Sequence, residues 1–491
     1  MQPIDRRTAL TLGGLGLLGT AVGGGGLFWQ RSPSTLDALT GAALQEPEVL
    51  RSRGSFLDVR LEAASGSHEV AGRRVTTLGY NGGLPGPTLR IRPGDTLRIQ
   101  LVNRLEEPTN LHVHGLHVSP EGNGDNAFVI VEPGDSFSYE YRLRGDHPPG
   151  AYWYHPHHHG MVADQLFGGL YGAIIVEDTN ALPVTRERVM VVSDITLDAS
   201  GQILVPSTME QMMGREGSLV LVNGQATPVL AARPGERERW RVLNACSARY
   251  LSLRIEGQRV QLLGRDSGRL AQSLEVEDVL LAPGNRADLV VTARRGRSVL
   301  RAEPFDRGGM MGAMMGGGSA SRSGGPIDLA TFEVRGSPQA GLAPLPRQDA
   351  PRDLRVSEVS RSRVLRFQMG MAGGMMGGGG RSGGMSFTID GSKFDAARVD
   401  QIVAVGAIEE WTIRNDSPMD HPFHLHVWPM QLIADNGEPV ETPTWLDVVN
   451  VPARGEVTLR IAFDDFGGRT VYHCHILDHE DRGMMGVVLA E

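Results

Sequence analysis

"PGDTLRIQLVN", residues 93–103, runs from a Pro-Gly turn through a strand-like alternation to an asparagine. Two further stretches, "PGERERWRVLN" (234–244) and "VGAIEEWTIRN" (405–415), align with it without a gap, each placing Gly and Asn nine residues apart. Each is followed after 40 to 49 residues by a second turn and strand: "EPGDSFSYEY", "APGNRADLVV" and "ARGEVTLRIAF". A Gly turn feeding an alternating strand is the unit of a Greek-key sandwich. Three copies predict three consecutive β-sandwiches and an all-β fold class. Composition agrees, with 64 Gly, 29 Pro and 21% charged residues, and no long amphipathic helical pattern.

The 491 residues allow two to four domains. Breaks are expected near "EDTNALPVTRERV" (177–189) and the Pro-rich "GSPQAGLAPLPRQDAPRD" (336–353), which read as linkers. The expected layout is a leader and linker over 1–45 and sandwiches over 46–180, 187–335 and 353–491. A net charge of −9 without a basic run argues against nucleic acid as a partner. Two cysteines leave no disulfide framework once one is used as a ligand. At the N-terminus, Arg6 and Arg7 precede an uncharged Gly-rich stretch, which resembles a twin-arginine export signal. The competing reading is an uncleaved anchor over 8–29, although eight of those 22 residues are Gly. Export to the periplasm or the cell exterior is the expectation, without stable membrane insertion afterwards.

Chemistry concentrates at the end of the chain, in "TVYHCHILDHEDRGMMGVVLAE" (470–491). On or at the end of a strand, His473 and His475 face one way and Cys474 the other, so three consecutive residues can join two metal centres. Downstream lie His479 and Met484; a Cys thiolate with two His and a weak axial Met is a blue-copper ligand set. One further imidazole is needed, and "HPFHLH" (421–426) can supply it. His424 and His426 share a face if extended, whereas His421, offset by three, can turn to another centre. The same spacing of two recurs at His112 and His114 and at His155 and His157. The four pairs supply eight imidazoles, more than one copper needs. Ligand pairs occur only in the first and third repeats, so a multi-copper cluster is expected where those two sandwiches meet, with the second as a spacer.

The motifs HxHG (112–115), HxH (155–157), HPxHxH (421–426) and HCHxxxHxxxxM (473–484) resemble, in order, the copper signatures of the multicopper oxidase family. The bacterial laccase and copper-efflux-oxidase branch is the most similar. The resemblance implies three cupredoxin-like domains and four copper ions: one type 1, one type 2 and a type 3 pair. It implies a type 1 site of His421, Cys474, His479 and Met484, and a type 2 site of His112 and His424. The type 3 pair would take His114, His155, His157, His426, His473 and His475. It also implies that a reducing substrate yields single electrons at the type 1 copper, that Cys474, His473 and His475 conduct them, and that the cluster reduces dioxygen to water. Glu480 resembles the family's acid beside the cluster, and Asp125, in a Gly-rich loop, looks like a second; as a plain turn residue Asp125 would need no such role.

Cys246 reads as a buried structural thiol. His117, His158 and His159 fall outside the ligand pattern and read as outer neighbours or surface residues. "GGMMGAMMGGG" (308–318) and "QMGMAGGMMGGGGRSGGM" (368–385) carry nine of the 19 methionines, and "MEQMM" (209–213) three more. Thioethers are soft ligands that suit Cu(I). Similar Met-rich insertions in the copper-efflux oxidases imply cuprous ion as the first expected donor, with phenols and aromatic amines behind it, on a monomeric enzyme. The rivals are an enzyme acting mainly on phenols with incidental Met loops, a ligand-poor division-associated relative, and a copper-storage protein.

Overall fold

In the computed structural model the described residues are 41–308, 325–371 and 385–491. The twin-arginine-like stretch and most of both Gly- and Met-rich stretches lie outside them. Among the described residues, six sheets form from strands that fall into three consecutive groups along the chain. A four-stranded and a five-stranded sheet come from Val49–Val176, a six-stranded and a five-stranded sheet from Arg186–Val334, and the same numbers of strands from Arg361–Ala490. These are three consecutive cupredoxin-like sandwiches.

The repeat seen in the sequence is a repeat of strand pairing. Thr96–Asn103, Arg237–Asn244 and Ile408–Asn415 each lie parallel to an earlier strand, Phe56–Val70, Arg186–Ile195 and Arg361–Met371 respectively. On the other side each pairs antiparallel with the strand of the second turn unit: Ser136–Arg142, Arg286–Thr292 and Glu456–Ala462. The strand Arg186–Ile195 begins within the stretch read as a linker, because those residues pair with the second repeat strand.

The terminal asparagines explain the fixed spacing. Asn103, Asn244 and Asn415 are buried, and each side-chain amide donates to a carbonyl across the corner: Val131, Leu281 and Val451. Each side-chain oxygen accepts the N–H two residues on, from Leu105, Cys246 and Ser417. One side chain thus satisfies buried backbone groups where the chain leaves the sheet, which an apolar residue could not do.

Each sandwich has its own apolar core, built around Tyr139 and Tyr141, around Trp240 and Phe332, and around Trp411, Trp428 and Phe423. A further cluster, Trp153, Leu166, Val191, Leu243 and Leu477, draws on all three strand groups. Cys246 is fully buried, as a structural thiol would be. Among the described residues no helix is long and apolar enough to cross a membrane.

Candidate metal centres

The strand Gly468–Cys474 ends on the cysteine, and its last residues separate two environments. Cys474 enters the core of the third sandwich, together with Met484 and Phe423. There its Sγ lies 3.3 Å from His421 Nδ1 and 3.8 Å from His479 Nδ1, and the two nitrogens are 3.3 Å apart. Both imidazoles are held so that Nδ1 faces the sulfur. His421 Nε2–H donates to Ser417 Oγ at 2.7 Å, which itself donates to the Met419 carbonyl; His479 Nε2–H donates to the Met212 carbonyl at 3.1 Å. Met484 is fully buried, and its carbonyl accepts the Cys474 N–H. Burial pushes the Cys474 thiol up, so a nearby cation is needed to hold it as the thiolate.

His473 and His475 turn the other way, with ring centroids 5.6 Å apart. They meet His424 and His426 from the third sandwich, and His112, His114, His155 and His157 from the first. The Nε2 atoms of His157, His426 and His473 converge within 3.1 to 3.3 Å of one another. His112 Nε2 and His424 Nε2 face each other at 3.4 Å. His114 Nδ1 lies 3.5 Å from His155 Nε2, and the His475 ring is 5.0 Å and 5.8 Å from theirs. All eight rings are buried, and burial drives their pKa values down, joined in all but His473 by repulsion from neighbouring charged imidazoles. Neutral imidazoles with free lone pairs are what a metal ion requires.

Both expected acids reach the cluster. Asp125 accepts from His112 Nδ1–H at 2.9 Å and from the Val113 N–H at 3.0 Å, and lies 3.7 Å from His426 Nδ1. Glu480 lies 3.0 Å from His473 Nδ1 and 3.3 Å from His157 Nε2. Neither of its oxygens receives a hydrogen bond, because the His473 Nδ1 proton goes to the Cys474 carbonyl. Burial raises both carboxyls to about 7, opposed by His157 for Glu480 and by the Val113 N–H for Asp125.

The donor set fits copper. A thiol between two imidazoles in an apolar core, and eight neutral imidazoles with converging lone pairs, match the softness of that metal. Both His475 nitrogens are buried without a hydrogen-bond partner, as groups reserved for a ligand would be. His117 instead bonds to the Val427 carbonyl and Asp465, and exposed His159 packs on Phe394; neither joins a cluster.

Several contributors escaped the sequence reading, and the second sandwich is more than a spacer. Gly284, with φ +90°, sits where a Cβ would lie 3.1 Å from ring atoms of both His114 and His475. Arg286 forms a buried ion pair with Asp447, whose carboxylate also accepts from His114. The helix Thr208–Met213 supplies the carbonyl that holds His479. The stretch "MEQMM" displays methionines, whereas the group used is a backbone oxygen that composition cannot reveal.

Residues 62–181, 150–303 and 368–491 each match the family described as multicopper oxidase. The chain is similar to "Multicopper oxidase mco" of Staphylococcus haemolyticus, at 29% identity over 90% of this chain and 91% of that protein. It is also similar to "Cell division protein FtsP" of Pectobacterium atrosepticum, at 27% identity over 92% and 93%. Among solved structures, a Campylobacter jejuni multicopper oxidase described as a metallo-oxidase superposes with a TM-score of 0.80 at 30% identity. The match covers 94% of this chain and 98% of that one.

Proposed function

Because this chain belongs to the multicopper oxidase family, we propose that it couples one-electron oxidation of a small reducing substrate to four-electron reduction of dioxygen to water. The observation that carries this reading is the division at the strand end: Cys474 on one side with His421 and His479, His473 and His475 on the other with six more imidazoles.

The proposed type 1 ligands are His421, Cys474, His479 and Met484. His112 and His424 would hold the type 2 copper, His157, His426 and His473 one member of the type 3 pair, and His114, His155 and His475 the other. Bound copper supplies one-electron storage at each ion and the site where dioxygen is reduced. The chain supplies the rest. His473, Cys474 and His475 form a covalent path of three residues between the two environments. Reduction of dioxygen to water consumes four protons, and Glu480, raised to about 7, can hold and release one near neutrality. Asp125 orients His112 through Nδ1 and leaves its Nε2 free.

Cuprous ion is the proposed first donor, with phenols and aromatic amines as further donors. Met212, Met369 and Met385 support this, since they pack, partly buried, against the core containing Cys474 and Met484. If cuprous oxidation at low copper survives deletion of 308–325 and 368–385 unchanged, a mainly phenol-oxidising enzyme replaces this reading. The proposal also includes a monomer, the domain limits 46–180, 187–335 and 353–491, and twin-arginine export to the periplasm or exterior. The similarity to a cell division protein raises a non-oxidase reading, which the complete donor set disfavours.

The test is a metal count with visible and electron-spin spectra, followed by oxygen-consumption assays. Four coppers and turnover are expected. Cys474→Ser should abolish the blue colour and oxidase activity while retaining copper at the imidazole cluster. Bound copper without oxygen consumption would indicate storage.

A further inference from the structure

Four imidazoles of the cluster spend their Nδ1 proton on a fixed acceptor: His112 on Asp125, His155 on the Pro156 carbonyl, His424 on the Asp447 carbonyl and His473 on the Cys474 carbonyl. Each is left with a free lone pair on Nε2. His114 is the reverse. Its Nε2 lies 3.0 Å from Asp447 Oδ1, and its Nδ1 faces His155 Nε2. Both Asp447 oxygens already take guanidinium protons from Arg286, so Oδ1 serves as an acceptor, the proton sits on His114 Nε2 and Nδ1 carries the lone pair.

Asp447 is held in turn by the second sandwich. Arg286 binds it through two parallel bonds, Nη1 to Oδ1 at 2.5 Å and Nη2 to Oδ2 at 2.6 Å. The guanidinium is anchored by Nε to the Ala151 carbonyl at 2.8 Å. Asp266 accepts the Arg286 N–H and the Asn285 side chain, both at 2.8 Å, and the Asp447 N–H at 3.3 Å. This arrangement is buried on every side. A two-pronged Arg–carboxylate contact fixes the plane as well as the position of the carboxylate.

We propose that Arg286 and Asp447 are positioning residues: the second sandwich, which carries none of the twelve donors, sets which nitrogen of His114 faces the cluster. Asp447 does this with its carboxylate while its own carbonyl sets the opposite nitrogen of His424. The metal consequence rests on the copper reading above; the tautomer does not.

The experiment uses the full chain with selectively nitrogen-labelled histidine. Removing one partner would strand a buried charge, so the principal variant is the double substitution Arg286→Met with Asp447→Leu, which replaces the pair by apolar groups. In copper-depleted wild type, His114 should show a protonated Nε2 and a bare Nδ1; in the double variant that preference should vanish. After copper loading, the double variant should bind at the imidazole cluster about 10- to 100-fold more weakly, with the blue absorption of the Cys474 site intact. Arg286→Lys, which keeps the charge, should recover both readouts in part. The same His114 tautomer in wild type and double variant overturns the proposal, as does joint loss of the blue absorption and the cluster signal. Wild type with the expected tautomer but no copper would instead overturn the oxidase reading alone.

Discussion

Gly284→Ala tests whether the second sandwich shapes the cluster by contact. Gly284 has φ +90°, where an alanine pays about 1–2 kcal/mol of backbone strain. Its Cβ would also lie 3.1 Å from His114 Cε1, His475 Cε1 and His475 Nε2. Those rings cannot retreat freely, because His114 is bonded to Asp447 and stacked on His424 at 3.9 Å. Crowding of a packed interior adds about 1–3 kcal/mol. Gly406 is the matched control: φ is +88° and nothing lies within 4 Å of the added Cβ. Gly406→Ala should therefore lose about 1–2 kcal/mol and no copper, and Gly284→Ala about 2–5 kcal/mol. Denaturant unfolding of the copper-depleted chains measures the first quantity. Copper retained against a competing chelator measures the second, and only Gly284→Ala should lose metal, from the imidazole cluster. Equal destabilisation of the two variants with equal copper retention would refute the reasoning.

Glu480→Gln should lower turnover by about 100-fold. Because burial raises the Glu480 carboxyl from 4.5 to about 7, its folding contribution is lost as pH rises through 7; the copper-depleted variant should be more stable than wild type at pH 8 by roughly 3 kcal/mol, and no more stable below pH 4.5. His147 has the opposite sign: burial lowers it to about 4, so the folded state binds fewer protons than the unfolded one, and stability present above pH 6.5 is lost as pH falls through 4. Its Nδ1–H donates to the Pro148 carbonyl and its Nε2 accepts the His117 N–H, so protonation breaks a bond; His147→Gln should remove roughly 3 kcal/mol of acid sensitivity in unfolding compared at pH 7 and pH 4. Asn415→Ala and Asn103→Ala should each lose about 2–4 kcal/mol in denaturant titration. Only Asn415→Ala should also shift the blue absorption, because Asn415 holds the Ser417 N–H, and Ser417 holds His421.

Most of the donor set is legible along the chain because its spacing is local. Two residues along a strand return to one face, which holds directly for His112 and His114, while the pairs 155 and 157, 424 and 426, and 473 and 475 each begin on a strand and end just past it. The thiol between the last pair is sent to the opposite face by the same rule. The repeated Gly and Asn are equally local, since a turn and a corner bracket one strand of fixed length. Burial of the acids follows from neither pattern. Glu480 sits beside a histidine in sequence, whereas Asp125 reaches His112 only because its loop folds back over that strand.

The alternation of strands, the threefold repeat and the identity of the donors are properties of short segments, and the chain carries them without any knowledge of its partners. Which nitrogen each donor offers is a property of the folded whole. Asp447 bonds His114 across 333 residues, and Arg286 bonds Asp447 across 161. The Met212 carbonyl holds His479 across 267. These partners are a lone aspartate, a lone arginine and a backbone oxygen, none with a periodicity to betray it. They become partners only when three separately built cores pack together and shut water out, because a buried imidazole must then place its proton on whatever acceptor the neighbouring sandwich presents.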